Sequence, residues 1–223
     1  PKINDQEVRK MVSDYDILII NSKVTVDKEM FELAPKLRIV GRLGSGMEII
    51  DQQAAREHGV VCLNSPEGNR LAVAEHCIGL LFNLSNNIKA AGRDIENGIW
   101  DREGNRGWEM SGRVAGIIGC GNTGSETAKR FAALGMHVLA YYKYREGLSI
   151  NGVSQSTMTE IFDRAEIVSL HLPYTSETHH LADSEFFQRF EKEIWFLNTS
   201  RGAVTKSVDL LAALENGKVR GAG

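Results

Sequence analysis

One segment limits what this chain can fold into more than any other: a short apolar run that passes directly into three spaced glycines and then into a helical pattern. The run is Val114–Ile118, and the glycines are Gly119, Gly121 and Gly124. This order is typical of a βαβ unit, in which glycines allow a tight turn and a close approach of helix to strand. The segment predicts a buried parallel strand, a glycine turn and a helix.

The same alternation of strand and helix patterns extends along the chain. Seven short runs are apolar and rich in β-branched residues, with helical patterns between them. The runs are 17–20, 37–40, 60–63, 114–118, 138–142, 167–172 and 194–197. Continuous apolar strands that alternate with helices predict parallel sheets covered on both faces. The predicted fold class is α/β.

Two further helices can be placed from their end signals and their apolar spacing. Ser207 is predicted to cap a helix that runs to Asn216, and Gly217 is predicted to end it in the left-handed conformation. Apolar residues recur at three- and four-residue steps from Leu71 to Ile88. That spacing predicts one long helix in the middle of the chain.

The polar stretch 97–112 follows that helix and has no clear period, which predicts an extended arm or loop. It contains Trp100 and Trp108, whose large rings are unfavourable in bare solvent. Two alternatives stay open. These side chains either pack back on their own domain or cover a partner subunit.

Composition excludes several classes of partner. The chain has 26 Lys and Arg against 29 Asp and Glu, a net charge of −3, so no dense cationic surface for nucleic acid is expected. Cys62, Cys77 and Cys120 are far apart and lack the paired spacing of a zinc site, which predicts reduced, buried thiols and no metal. The apolar runs are too short to cross a bilayer, so a cytoplasmic protein without membrane contact is expected.

The glycine turn has the chemistry of a dinucleotide phosphate site. Gly119 permits the tight turn, Gly121 lets a pyrophosphate approach the backbone, and Gly124 lets the helix pack on the strand. The unpaired N–H groups and the positive dipole end of the helix favour an anion by ~0.3–1 kcal/mol. The alternative is a tight turn without a ligand. We predict that this segment binds NAD, with NADP as the other candidate.

The choice between NAD and NADP depends on the end of the second strand. An acidic residue is expected there to accept hydrogen bonds from the adenosine ribose, and Tyr142 stands in its place. Lys143 and Arg145 follow, and cations near the ribose 2′ position would accommodate the phosphate of NADP. Alternatively both are solvated surface charges, Tyr142 stacks near the adenosine and NAD is used.

Several motifs in order resemble the D-isomer-specific 2-hydroxyacid dehydrogenases over nearly the whole chain. They are 36–42 with Gly44-Ser45-Gly46, Asn64-Ser65-Pro66 with Val73-Ala74-Glu75, the glycine turn, His171-Leu172-Pro173 with Glu177-Thr178, and Asn198-Thr199-Ser200-Arg201-Gly202. The resemblance implies a Rossmann dinucleotide-binding domain at 69–223 and a flavodoxin-like substrate domain at 1–68, with parallel sheets. The first is expected to be incomplete at its C-terminal end and the second at its N-terminal end.

The resemblance also implies the reaction and the site. NAD or NADP would take a hydride from a D-2-hydroxy acid and leave the 2-oxo acid, with D-3-phosphoglycerate as one candidate substrate. Ser45 and Gly46 would bind the substrate, and Arg201 would be the catalytic residue that holds the acid and polarises its C2 carbonyl. The cofactor would contact Ser45, Gly119, Gly121, Asn122, Thr123, Gly124, Tyr142, Leu172, Pro173, Thr199, Ser200 and Arg201.

Family members supply the proton for this reaction from a His supported by a Glu, further along the chain. His58, His76, His137, His171, His179 and His180 do not occupy that position, so little turnover is expected of the 223 residues alone. The resemblance further implies a homodimer through the 71–88 helix and the arm. Two other functions stay open: a dinucleotide-sensing, corepressor-like binding protein, and a formate or phosphite dehydrogenase of the same architecture.

Overall fold

The computed structural model describes residues 4–144, 147 and 149–223. The chain divides into two compact units, 1–69 and 70–223, and each contains one parallel sheet. The helices are α1 (Asp5–Met11), α2 (Lys28–Leu33), α3 (Gln52–Glu57), α4 (Arg70–Ser85), α5 (Ile88–Glu96), α6 (Asn122–Ala133), α7 (Met158–Arg164), α8 (Ser184–Gln188) and α9 (Ser207–Glu215). Single 3₁₀ turns lie at Val12–Asp14 and Gly202–Val204. No helix in the described part of the chain has the length and apolar character needed to span a membrane.

The strands are β1 (Ile17–Ile20), β2 (Ile39–Arg42), β3 (Val61–Asn64), β4 (Val114–Ile118), β5 (His137–Tyr141), β6 (Val153–Gln155), β7 (Ile167–Leu170), β8 (Ile194–Asn198) and β9 (Val219–Ala222). In the first unit the order is β1-β2-β3, and Ile39 pairs with Ile17 on one side and Val61 on the other. Its core contains Met30 and Phe31 of α2, packed with the sheet.

The second unit is a doubly wound sheet in the order β6-β5-β4-β7-β8-β9. Counted from β4 this is 3-2-1-4-5-6, the strand order of the Rossmann fold, whose ligands bind where the order reverses. One core includes residues of α4 and α6 such as Leu81 and Phe131, and another includes residues of α7, α8 and α9 such as Ile161, Phe186 and Ala213. The predicted α/β class, with parallel sheets and a Rossmann domain, is confirmed.

A helix can pack closely on the central strand β4 because Gly116 has no side chain. A Cβ at this position would lie 2.7 Å from Ile161 Cγ2 and 3.3 Å from the Cβ of Ala165. Both contacts come from α7 and its C-terminal cap. The glycine therefore sets how closely α7 covers the sheet next to the reversal point.

The described residues form nine strands rather than the predicted seven. The two strands beyond the seven predicted runs are the edge strands β6 and β9, and β6 is short and has no buried residue. Five of the seven predicted runs also differ from the strands at one end or both, and the observed bounds are those of β2, β3, β5, β7 and β8 given above. The corrected end of β5 places Tyr142 in the loop beyond the strand.

The predicted helix from Leu71 to Ile88 is two helices. The first ends at Ser85, and Asn87 adopts a left-handed backbone conformation with φ 51°, which Asn tolerates better than most residues. The side-chain oxygen of Asn83 accepts the amide N–H of Lys89 across the break. The apolar spacing stays in phase across this turn, which is why the pattern predicted one helix.

The start of α9 also differs from the prediction. Ser207 is the first helical residue, the N-cap is Lys206, and no side chain caps this end. The Asp209 carboxylate instead accepts the amide N–H of Ser184, which ties the start of α9 to α8. At the other end Gly217 has φ +80°, as predicted.

The stretch 97–112 forms neither helix nor strand, and its two tryptophans differ. The Trp108 ring packs edge-on against Trp195, with centroids 5.3 Å apart, and the Arg113 and Arg220 guanidinium groups lie 4.7 and 4.3 Å from its centroid. Trp100 is 83% exposed. Trp108 therefore packs back on its own unit, whereas Trp100 does not.

Candidate functional site

The three glycines of the turn after β4 have different surroundings. Gly119 has φ +95°, and a Cβ there would lie 2.5 Å from the carbonyl oxygen of His171. A Cβ at Gly124 would overlap the carbonyl oxygen of Gly119. A Cβ at Gly121, in contrast, would meet no protein atom within 4 Å. Two glycines thus serve packing, while Gly121 faces open space of the kind a bound group can fill.

The first turn of α6 is open to a ligand. Side chains cap α1, α2, α3, α7 and α8, but the N-cap of α6 is Gly121, which has no side chain to bond its N–H groups. The amide of Ser125 is bonded to the Gly121 carbonyl, so the amides of residues 122–124 precede the first bond of the helix. These donors and the positive dipole end fit a pyrophosphate.

A cavity of about 610 Å³ adjoins this turn at the reversal point of the sheet, within the size range of small-molecule sites. Its walls come from the turn and from the segments after β5 and β7. Of the residues predicted for the cofactor, it brings together Gly119, Gly121, Tyr142, Leu172 and Pro173. The geometry therefore groups the glycine turn with the two loops that flank it.

The apolar wall of this cavity was not predicted from the sequence. It consists of Met158 and Phe162 of α7, Leu181, and Phe186 of α8. The Arg189 guanidinium lies 4.1 Å from the centroid of the Phe162 ring and covers its outer face. The sequence could have indicated this wall only through the apolar residues of α7 and α8, the helices next to the reversal point. Apolar helix residues at that place are equally expected in the hydrophobic core, so the pattern did not distinguish a cavity wall from the core.

The opposite wall of the cavity is polar. The Lys143 Nζ lies 2.5 Å from Glu177 Oε2, and this hydrogen bond raises the pKa of Lys143. The half-buried Tyr142 ring meets Tyr144 edge-on at 6.4 Å. Arg145, the second cation of the NADP hypothesis, lies outside the described residues.

His171 supports the turn and is buried beside it. Its Nε2 lies 2.9 Å from the Ser169 hydroxyl, and burial lowers the pKa of His171 to about 4. The imidazole is therefore neutral at pH 7. Its backbone N–H donates to the Ile118 carbonyl, and its own carbonyl contacts the Gly119 backbone, so the residue fixes the distance between β7 and the turn.

The segment after β8 is held by the Asn198 side chain. Its oxygen accepts hydrogen bonds from the amide and the hydroxyl of Ser200, at 3.1 and 2.6 Å. Its nitrogen donates to the Arg201 carbonyl and to the Thr205 hydroxyl. The Arg201 guanidinium is half-buried and donates one N–H to the Ser200 carbonyl. The backbone that carries the predicted catalytic arginine is thus fixed at the carboxyl end of the sheet.

Thr199 connects this segment to α4. Its hydroxyl lies 3.1 Å from the Sγ of Cys77, which is buried. Burial raises the pKa of the Cys77 thiol, so the sulfur is a neutral hydrogen-bonding group. Burial raises the pKa of Cys120 in the glycine turn as well. Both thiols act as packing groups.

Ser45 and Gly46 lie in the first unit, in the loop after β2. Gly44 has φ +142°, which a glycine adopts without strain. The Asn64 side chain donates to the Ser45 carbonyl at 2.6 Å, and the Ser65 amide donates to the Gly44 carbonyl. The end of β3 therefore fixes the backbone of this loop.

The other predicted cofactor residues do not line the cavity. Asn122 and Thr123 belong to the first turn of α6, and 199–201 follow β8 at the same edge of the sheet. Among the described residues, no group of three His, Cys, Asp or Glu side chains has the arrangement of a metal site. The candidate site of the second unit thus combines an open helix end with a half-apolar cavity.

Comparison with known proteins gives a family for most of the chain. Residues 78–223 match the family described as D-isomer specific 2-hydroxyacid dehydrogenase, NAD binding domain. The D-3-phosphoglycerate dehydrogenase of Methanocaldococcus jannaschii is 33% identical over 99% of this chain and 43% of its own. That of Bacillus subtilis is 35% identical over 96% of this chain and 43% of its own. The chain spans less than half the length of these relatives.

A solved structure with the same fold is the NAD-dependent formate dehydrogenase of Staphylococcus aureus in complex with NAD. It has a TM-score of 0.87 and 26% identity, and the match covers 100% of this chain and 68% of that one.

The burial of His171 makes stability depend on pH. Between a pKa of about 6.5 in the unfolded chain and about 4 in the folded one, the unfolded chain binds a proton that the folded chain does not. The free energy of unfolding therefore falls as the pH drops through this window, by about 3 kcal/mol over its full width.

Replacing His171 with Asn should flatten this pH dependence, as measured by urea unfolding followed by tryptophan fluorescence. His137→Asn, at an exposed strand start, should leave it in place. An unchanged slope in the His171→Asn variant would contradict the assignment.

Proposed function

The chain belongs to the family of D-isomer specific 2-hydroxyacid dehydrogenases, which it matches through their NAD-binding domain, and on that premise we propose that the whole protein interconverts a D-2-hydroxy acid and its 2-oxo acid. The cofactor is NAD. The observation that carries the proposal is the open first turn of α6, whose N-cap Gly121 lines the cavity at the reversal point of the sheet. An anion-binding helix end in that place suits a dinucleotide pyrophosphate.

Each part of the second unit has a proposed task toward the cofactor. The amides of 122–124 bind the pyrophosphate, and Gly121 leaves room for it. The apolar wall, with Phe162 and Phe186, excludes water from one face of the adenosine, while Tyr142 covers the other. The bound nicotinamide ring supplies the hydride acceptor. Thr199 and Ser200 are proposed to lie near that ring, because they follow β8 at the same sheet edge.

Arg201 is the proposed catalytic residue. A planar guanidinium pairs with a carboxylate through two parallel hydrogen bonds and stabilises charge on an adjacent oxygen, so it suits a 2-oxo acid. The Asn198 network fixes the backbone of this arginine, and the guanidinium itself donates to the Ser200 carbonyl. In the first unit, Ser45 and Gly46 are the proposed substrate-binding residues, through backbone N–H groups that suit a carboxylate. Arg201 would stabilise the negative charge that develops on the C2 oxygen of the acid.

The substrate is proposed to be D-3-phosphoglycerate. Support comes from two relatives named for that reaction, at 33 and 35% identity. A cytoplasmic location fits free thiols at Cys62, Cys77 and Cys120.

Substitution of Arg201 tests the reaction. In the full-length protein, Arg201→Lys should lower kcat/KM for the 2-oxo acid by about 100-fold or more, because a lysine cannot form the two-pronged pair. The Kd for NADH, measured by fluorescence, should change less than about threefold. Arg220→Lys, at an arginine that packs on Trp108, is the matched control and should keep normal kcat/KM.

The stereochemistry of turnover distinguishes this proposal from its rivals. The wild-type protein should oxidise D- but not L-2-hydroxy acids with NAD. Turnover of formate or phosphite in their place, or NADH binding without turnover of any acid in the panel, would contradict it.

A homodimer is proposed on the exposed apolar side of α5 and the start of the arm. Ile88, Ile95, Ile99 and Trp100 are all more than half exposed, and Leu71 at the start of α4 is half exposed. Exposed patches of large apolar side chains often mark protein interfaces. In this proposal a second copy covers Trp100, while Trp108 stays packed in its own unit.

Sedimentation tests the dimer. The wild type should sediment as a dimer and Trp100→Glu as a monomer, because a buried, unpaired carboxylate disfavours association. Val208→Glu, at an exposed apolar residue of α9, should remain dimeric. The surface is wrongly assigned if Trp100→Glu stays a dimer.

A further inference from the structure

An ion pair crosses the mouth of the cavity. Lys143 lies in the loop after β5, and Glu177 lies in the loop after β7. In the sheet, β4 lies between these two strands, so their axes are about 10 Å apart. The Nζ of Lys143 nevertheless approaches Glu177 Oε2 to 2.5 Å. The pair thus connects the two walls of the site.

The backbone that carries Glu177 is fixed before any ligand binds. The Thr178 hydroxyl donates to the Pro173 carbonyl at 2.6 Å and accepts the Thr175 amide at 2.8 Å. The His179 amide donates to the Thr175 carbonyl at 3.0 Å. These bonds close a tight turn with Glu177 in it, so the carboxylate has a defined starting position at the cavity.

The position directly after β5 lacks the carboxylate that binds a dinucleotide ribose, because Tyr142 stands there. A carboxylate there would accept hydrogen bonds from two ribose hydroxyls, but Tyr142 offers one phenolic oxygen. Across the cavity, Glu177 offers the missing chemical group.

We propose that Glu177 takes the place of the missing strand-end acid: its carboxylate, oriented by Lys143, accepts the ribose hydroxyls of NAD and disfavours the 2′-phosphate of NADP. This inference rests on the proposed dinucleotide-dependent function and adds the residue that selects the cofactor. Glu177 and Lys143 act as a unit, with the carboxylate as the contact to the ribose and the ammonium as its positioning group.

The charges around the cavity agree with this selection. The ionisable groups that line it include the cations Lys143 and Arg189 and the carboxyl groups of Glu177, Asp183 and Glu185. Both cations already have partners, since Lys143 pairs with Glu177 and Arg189 covers Phe162. A 2′-phosphate carries about −1.5 to −2 charges at pH 7 and would enter among carboxylates. Two neutral ribose hydroxyls that donate to a carboxylate meet no such electrostatic repulsion.

The alternative to this arrangement is one in which Lys143, and not Glu177, binds the ribose end of the cofactor. Lys143 could leave Glu177 and bind the 2′-phosphate, in which case the protein would prefer NADP and Glu177 would compete with it. The two arrangements predict opposite cofactor preferences, so binding alone separates them.

The experiment measures the Kd of NADH and of NADPH by fluorescence on the full-length protein, without any substrate. The wild type should bind NADH at least about tenfold more tightly than NADPH. Glu177→Gln keeps the size of the side chain but removes its charge, and it should lower that ratio by about tenfold through weaker NADH and tighter NADPH binding. Lys143→Gln should weaken NADH severalfold and keep the preference for NADH.

The control is Glu160→Gln, which removes the charge of a half-exposed glutamate that pairs with Arg164 on α7, outside the cavity. It should leave both Kd values unchanged. A wild-type preference for NADPH overturns the inference and the choice of NAD as cofactor, but the proposed interconversion of a D-2-hydroxy acid and its 2-oxo acid stands. A ratio that Glu177→Gln does not change overturns the inference alone. A folded wild type that binds neither dinucleotide overturns both.

Discussion

The structure of the second unit depends on one contact: the glycine turn after β4 packs against the start of α6 and against the end of β7 at the same time. Gly119 lies against the His171 backbone, and Gly124 lies against Gly119. Because no side chain separates these backbones, the helix begins directly above the carboxyl end of the central strand. Its uncapped amides therefore face the crevice in which ligands of doubly wound sheets bind.

The rest of the unit holds this contact in place. Gly116 lets α7 approach the sheet from one side, and Cys77 connects α4 to the segment after β8. The neutral His171 fills the space beneath the turn without adding a charge next to the site. The turn, the cavity and the arginine segment consequently lie at one edge of a single sheet. That arrangement suits a long cofactor whose pyrophosphate, adenosine and reactive ring need separate partners.

Much of this could be predicted from the sequence because it depends on local chemistry. The glycine turn, its strand and its helix are set by neighbouring residues, and so is the left-handed conformation of Gly217. Other features depend on contacts between distant segments. The apolar spacing of 71–88 could not predict the turn at Asn87, because the helical period of the apolar residues continues unchanged across it. The apolar wall of the cavity combines α7, α8 and the intervening loop. The Lys143–Glu177 pair joins residues 34 positions apart, so no local sequence pattern could predict it.

The central claim is that the open first turn of α6 binds the pyrophosphate of the cofactor. The most direct measurement is the backbone amide NMR spectrum of ¹⁵N-labelled protein, titrated with NADH. We predict that the amides of Asn122, Thr123 and Gly124 show the largest changes and shift downfield, as expected for new hydrogen bonds to phosphate oxygens. Saturable NADH binding that leaves these three amides unperturbed would contradict the account.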